Sequence, residues 1–337
     1  MAPTSFHMTD KHALILGATG GIGGEVARQL REAGWHVRAL HRHPANAATA
    51  GDGIEWCEGD AMDRDAVVRA ARGCAVIVHA VNPPGYRRWA ELVLPMLDNT
   101  IAAATDAGAT IVLPGTVYNY GPDALPLVRE DAPQQPRTRK GAIRVEMERR
   151  LQAATARGVR TIVVRAGDFF GARVTSNSWF SQGLVEAGKP VRKVSVPGQP
   201  GVGHQWAYLP DVARTMVELI GRRATLPPFA LFHFGGHWDA DGTQMAAAIL
   251  RVAERHGLKV TQRHFPWPLV YAAAPFVTTL RELLEMRYLW REPLRLDNAR
   301  LVATLGSEPH TPLDAAVEAT LAGIGCLGSP VRAALTV

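Results

Sequence analysis

The amino-acid sequence predicts an α/β fold, a doubly wound parallel sheet with a smaller, mostly helical lobe toward the C-terminus. Three observations carry that expectation. Short apolar runs alternate with stretches of helical period through the first half. The first apolar run ends in a glycine-rich turn that opens a helix. The chain has 337 residues, 47% hydrophobic and 20% charged, enough to bury a large core at an ordinary globular composition.

Residues 12–16 (HALIL) read as the first strand, and the next helix sets Val26, Leu30 and Ala33 on one face before stopping at Gly34. Strands follow at 36–40 and 54–57, a helix at 64–71 and a strand at 75–80 (AVIVHA). A long helix at 87–107 leads to a strand at 110–113, and a helix at 140–157 precedes a strand at 160–165. Right-handed crossovers between such parallel strands put helices on both faces of the sheet. After Gly171 the texture changes, because 172–206 is rich in Gly, Ser, Pro and Trp without a clean period. A helix at 210–220 and a strand at 229–234 are expected to return to the sheet. From 243 the chain reads as helical, broken by Pro266, Pro268 and Pro275.

Composition narrows the function classes. Residues 1–10 lack the basic start and apolar core of a secretory signal and are expected to be a loose leader. No apolar run approaches the ~20 residues that span a bilayer, so no membrane partner is expected. Cys57, Cys74 and Cys326 are scattered, which suits a reducing cytoplasm and gives no metal-like spacing. His233 and His237 are likewise not spaced as a helical metal pair, so no metal is expected. The net charge is +6, but the arginines are dispersed without an aromatic-flanked stripe. A basic pocket for an anionic cofactor is the expected use of the excess, not nucleic acid.

The segment LILGATGGIGGEVARQL places Gly17, Gly20 and Gly23 between a strand and a helix. Gly17 permits the tight exit from the strand, Gly20 lets a pyrophosphate approach the backbone, and Gly23 lets the helix pack closely. Helix-start amides around Thr19, Gly20, Gly21 and Ile22 would face the anion. No Lys-Ser/Thr pair follows, so a triphosphate-binding loop is a poor alternative. The expected arrangement is a Rossmann domain over 11–171 with returning segments at about 207–236, and a substrate lobe from 172–206 and 237–330. After the second strand the sequence reads Leu40, His41, Arg42, His43, without the carboxylate that holds an NAD ribose. Arg42 suits a 2′-phosphate, so NADP(H) is expected over NAD(H). Asp60 is placed either for the adenine edge, beside Ala61, or as a helix N-cap.

Together these residues resemble the extended short-chain dehydrogenase/reductase superfamily, the NAD-dependent epimerase/dehydratase family. GATGGIG is similar to its phosphate turn and Gly59-Asp60 to its adenine motif. Asn99, PGTVYNYG (114–121), RAGDFFG (165–171) and YLPDVA (208–213) resemble its later motifs. The resemblance covers about 220 residues and implies the fold and a nicotinamide cofactor. It places Ala80, Val81 and Asn82 after the fourth strand, and Ala166, Gly167, Asp168 and Phe169 after the 160–165 strand, against that cofactor.

The family's carbonyl chemistry uses a Ser or Thr with a Tyr and Lys spaced YxxxK. Thr116 falls at the first position, but the tyrosine and lysine positions hold Lys140 and Arg144. Glu148 sits where the family often has an acid. Lys140 as the proton-transfer group resembles the isoflavone-reductase-like branch, with Arg144 one turn on lowering its pKa. A tyrosine from elsewhere, Tyr118 or Tyr120, is the second reading. An NADP(H)-binding sensor without turnover is the third, and a merely solvated helix face remains the plain alternative for Lys140 and Arg144. Asn82 and Tyr86 in HAVNPPGY are expected to meet cofactor or substrate, and His204 and Trp206 to line the pocket. The implied reaction is hydride transfer to a carbonyl or activated double bond of a small, apolar substrate. A sugar-nucleotide epimerase or dehydratase is the alternative, and pairing through the helices at 87–107 and 140–157 implies a possible homodimer.

Overall fold

A computed structural model describes residues 11–48, 51–83, 88–173 and 178–328. The first half runs β1 (His12–Leu16), α1 (Gly21–Glu32), β2 (His36–His41), α2 (Pro44–Ala47), β3 (Ile54–Glu58), α3 (Arg64–Ala71), β4 (Val76–His79), α4 (Trp89–Ala107) and β5 (Thr110–Thr116). It continues through β6 (Leu127–Val128), α5 (Arg139–Ala154), β7 (Arg160–Ala166), β8 (Asp168–Phe170), β9 (Lys193–Val196), β10 (His204–Tyr208), α6 (Leu209–Gly221), β11 (Phe229–His233) and β12 (His237–Asp239). The remainder is α7 (Gln244–Arg255), β13 (Thr261–His264), α8 (Trp267–Ala273), α9 (Thr278–Glu285), β14 (Arg295–Leu296), α10 (Ala299–Leu305) and α11 (Leu313–Gly323).

Seven strands form one parallel sheet in the order β11-β7-β5-β4-β1-β2-β3. Both faces are covered, which is why β1 and β4 are apolar without alternation. On one face α1 and α6 pack through Val26, Leu30, Val212, Met216 and Leu219, with Leu301 of α10 beside them. On the other, α3, α4 and α5 pack through Val67, Leu97, Ile101, Met147 and Leu151. Ala33 is not part of the α1 stripe, because it lies at the C-cap and is exposed. Strand order reverses at β1, between β2 and β4, so the crevice at their carboxyl ends is the place for a ligand.

β11 joins the sheet beside β7 in parallel register, Phe229 opposite Thr161. The 172–206 stretch and the chain after 237 share a second core, in which Phe180, Val194, Ile249, Val252, Trp290 and Leu321 are buried together. That lobe is not purely helical. β13 pairs with β9, β14 with β6, and β10 with both β8 and β12. These short strands pair with partners distant in sequence, and the four residues of β13 are exposed and polar, so they carry no apolar alternation.

Candidate functional site

A cleft of about 660 Å³ opens at the carboxyl ends of β1, β2, β4, β5 and β7. Its floor is the turn after β1, where Gly17, Thr19, Gly20, Gly21 and Ile22 line the wall. Gly17 has φ +93°, and a Cβ there would lie 2.6 Å from the Ala80 carbonyl oxygen. Gly23 sits behind the wall, where a Cβ would lie 2.3 Å from the Gly17 carbonyl oxygen, so α1 can approach β1 only without a side chain. At Gly20 a Cβ would meet only that same oxygen, at 3.2 Å, so its bare face is kept for something other than the protein. The first turn of α1 holds no carboxylate. First-turn amides have no intrahelical partner, and an anionic diphosphate fits this cradle.

At one end of the cleft stand His41, Arg42, Asp60, Ala61 and Met62. Arg42 is exposed, and among the described residues no ion pair engages it. Asp60 is not the helix cap. Asp63 caps α3, accepting from the amides of Asp65 at 2.9 Å and Ala66 at 3.2 Å. One Asp60 oxygen accepts from the Met62 amide at 2.9 Å, and Asn99 donates to the Ala61 carbonyl at 2.9 Å, which shapes the loop.

The other end gathers Thr116, Tyr118 and Arg144 with Asn82, His79 and Trp179. Ala80, Val81, Ala166, Gly167, Asp168 and Phe169 line the walls between. Asn82 accepts from the Trp89 indole at 2.6 Å, and the Arg144 guanidinium lies over the Trp89 ring at 5.3 Å. His79 Nδ1 lies 2.8 Å from the Thr100 hydroxyl, which itself donates to the Met96 carbonyl, so the imidazole is the donor there. Burial, reinforced by the Arg144 charge, pushes the His79 imidazole down to about 3, and it stays neutral.

Behind Thr116 lies a fully buried polar network. Arg165 binds Glu148 with two nitrogens and also donates to the Tyr120 hydroxyl. The Tyr120 hydroxyl meets His233 Nε2 at 2.8 Å, and His233 Nδ1 donates to the Val128 carbonyl at 3.2 Å. Burial raises the Glu148 carboxyl to about 8, against the Gln134 and Asn119 hydrogen bonds and the Arg144 charge that lower it, and the Arg165 guanidinium on both of its oxygens favours the ionised form. Tyr120 therefore belongs to this core and not to the cleft wall, being fully buried.

Several expected positions fall elsewhere. Lys140 is 2% exposed and does not line the cleft. Its ammonium lies 2.8 Å from Glu282 and 3.4 Å from Glu285, both on α9. The charges it meets are thus carboxylates of the lobe, in place of the Arg144 repulsion anticipated from the helix spacing. His204 and Trp206 are also not cleft residues. His204 is buried against Trp290 and bonded to Asp168 at 2.8 Å, and Trp206 is packed among Phe170, His204 and Trp290. Alternation along β10 did not decide the matter, because all five of its residues are buried. Tyr86 lies outside the described residues.

The sequence reading missed His79. His79 is the last residue of β4, at the carboxyl end where ligands bind in such sheets, and that position was the available signal. Trp179, one of the aromatic residues that hinted at an apolar substrate, lines the cleft.

Known proteins agree with this architecture. The model of the NAD dependent epimerase/dehydratase family matches residues 13–231. The chain is 42% identical over 71 residues to a (4-alkanoyl-5-oxo-2,5-dihydrofuran-3-yl)methyl phosphate reductase of Streptomyces griseus, covering 21% of this chain and 25% of that protein. It is 31% identical over 132 residues to a 3-diazoavenalumate denitrifying reductase of a Streptomyces species, covering 36% and 42%. The chain thus spans less than half the length of either reductase. Among solved structures, Thermus thermophilus UDP-glucose 4-epimerase in complex with NAD superposes at TM-score 0.68 and 18% identity, covering 93% of this chain and 98% of that one. In the described residues no helix is long and apolar enough to cross a membrane. The glycine cradle at the reversal of a seven-stranded parallel sheet and the family match over residues 13–231 lead to one assignment: the chain belongs to the NAD dependent epimerase/dehydratase family.

Proposed function

We propose that the protein is an NADP(H)-dependent oxidoreductase that transfers hydride to a carbonyl or activated double bond of a small organic substrate. The observation that carries this reading is the course of the cleft, from Arg42 past the Gly17–Gly23 turn to Thr116, Tyr118 and Arg144. The amides of Gly21 and Ile22 would hold the diphosphate. Arg42, in a Leu40–His43 run that carries no carboxylate, would pair with the 2′-phosphate and favour NADP over NAD. Asp60 would meet the adenine edge. The dinucleotide, when bound, supplies the hydride. Arg144 cannot serve as a base at neutral pH, and as a fixed cation it would stabilise charge that develops on the substrate. Tyr118 would supply the proton, since Lys140 is held by Glu282 and Glu285.

Two relatives carry reductase names, which supports reduction over the sugar-nucleotide alternative. The missing Tyr at 140 and Lys at 144 weigh the same way. The protein would act in the cytoplasm, as a homodimer pairing through α4 and α5. The test is NADPH consumption across a panel of ketones, enones and imines with purified protein. Turnover of at least one class is expected. Tight NADPH binding without any consumption would instead support the sensor reading, and NAD-dependent interconversion of UDP-sugars the epimerase reading.

A further inference from the structure

The donor and acceptor roles around Thr116 can be assigned one by one, because the network behind it begins at a carboxylate. Asn119 is fully buried. Its side chain lies 3.0 Å from Glu148 Oε1, and with Arg165 donating to both Glu148 oxygens the paired carboxylate accepts, so the amide nitrogen of Asn119 is on that side. The same nitrogen donates to Gln134 Oε1 at 3.0 Å, while Gln134 Nε2 donates to the other Glu148 oxygen at 3.4 Å. Glu148 is itself clamped by Arg165. Neither amide can flip without facing a carboxylate with its oxygen. The remaining atom, Asn119 Oδ1, is therefore turned to the Thr116 hydroxyl, 3.3 Å away. An amide oxygen only accepts, so Thr116 donates. Its one proton is used inward, and the Tyr118 amide donates to the same hydroxyl oxygen at 3.4 Å.

We propose that Asn119 is a positioning residue that keeps the Thr116 proton pointed into the protein, so that Thr116 meets the substrate as an acceptor and selects compounds bearing a hydroxyl or N–H group. A carbonyl oxygen docked on Thr116 would have to take that proton and leave Asn119 Oδ1 buried without a partner. Arg144, one helical turn before Glu148 and also on the cleft wall, has only donors to offer. The substrate that fits both presents its charge-accepting oxygen to Arg144 and its donor to Thr116. This specificity rests on the oxidoreductase reading, whereas the proton assignment does not.

Two measurements test it. In perdeuterated crystals soaked with NADP⁺, neutron density is expected to place the Thr116 deuteron on the line to Asn119 Oδ1. A deuteron on the cleft side overturns the proposal, whether or not the protein reduces anything. In solution, 4-hydroxycyclohex-2-enone and its methyl ether are compared as NADPH-dependent substrates. The hydroxyl compound is expected to show KM roughly tenfold lower, with kcat within about threefold. Asn119→Leu should erase that difference to within about twofold, and Thr116→Ser should keep it. Equal KM values in the parent protein, or an unchanged preference in Asn119→Leu, overturn the specificity. Should Asn119→Leu not fold, the parent comparison and the neutron result still decide. Absence of all turnover would sink the oxidoreductase reading and the specificity drawn from it, and leave the proton assignment to the neutron experiment.

Discussion

The Lys140 ammonium, at the start of α5, lies 2.8 Å from the Glu282 carboxylate of α9 and donates to the Glu282 backbone carbonyl at 2.9 Å. Glu285, also on α9, completes the contact by accepting from the Arg139 amide at the start of α5 at 2.7 Å. The contact therefore ties α5, which packs on the sheet, to α9.

Lys140→Met is expected to lower stability more than turnover. Removing one partner of a fully buried pair costs ~3–5 kcal/mol, and partial exposure of the two carboxylates reduces this to about 2–3 kcal/mol here. A fall in Tm of roughly 3–4 °C should accompany kcat/KM within about threefold of the parent. Tyr118→Phe should show the reverse, with Tm held and kcat down by about 10² or more. Thermal melts beside NADPH oxidation rates check both. A hundredfold loss of kcat in a stably folded Lys140→Met would return the proton-transfer role to the lysine.

Gly17 and Gly20 should separate folding from binding. Gly17→Ala forces a Cβ to 2.6 Å from the Ala80 backbone at positive φ, so the protein should be poorly folded. Gly20→Ala meets only one protein oxygen, at 3.2 Å, so Tm should change little. The new methyl would occupy the face kept for the diphosphate, and NADPH affinity should drop tenfold or more by fluorescence titration, on the order of the loss of one charge-assisted hydrogen bond. Undiminished affinity would place the diphosphate elsewhere.

Arg42→Ala should discriminate between the two dinucleotides. Loss of a charged contact to phosphate is worth about 1.5–3 kcal/mol, so NADPH should bind roughly 10- to 100-fold more weakly, with NADH unchanged. Equal affinity for NADH and NADPH in the parent protein would refute the phosphate role.

Acid should destabilise the fold through its buried histidines. Burial pushes His79 and His233 down to about 3 from an ordinary 6.5, with the Arg144 and Arg165 charges adding to it. Unfolding below pH 6.5 lets each take up a proton, so the unfolded state binds more protons there. Their contribution to stability is intact above that value and falls as pH drops toward 3, by up to about 1.4 kcal/mol per pH unit for each. Urea midpoints at pH 7 and 5 would show the loss. NMR should find neither imidazole titrating between pH 8 and 5, and a midpoint near 6.5 for either would contradict its burial.

Much of the sheet domain was readable because its determinants are local. The exit from β1 needs a glycine at positive φ and α1 needs an apolar stripe, and each lies within a few residues of what it controls. The candidate site was readable only in part. Thr116 and Arg144 were identified by the family resemblance and do reach the cleft wall, yet the same resemblance placed Lys140 there too. Its partners lie 142 and 145 residues away, and no periodicity along α5 encodes them. His204 and Trp206 were misread for the same reason, since Asp168 and Trp290, which enclose His204, come from other parts of the chain.

By itself the order of residues determined the strand–helix alternation and the glycine cradle, both set by short-range sterics and hydrophobic period, while its motifs carried the resemblance to the family. Only the tertiary structure decided which polar groups face the cleft and which face each other. That choice depends on how carboxylates such as Glu148, Glu282 and Glu285 find cations and amides far along the chain, and a buried charge must take whichever partner the packing brings within reach.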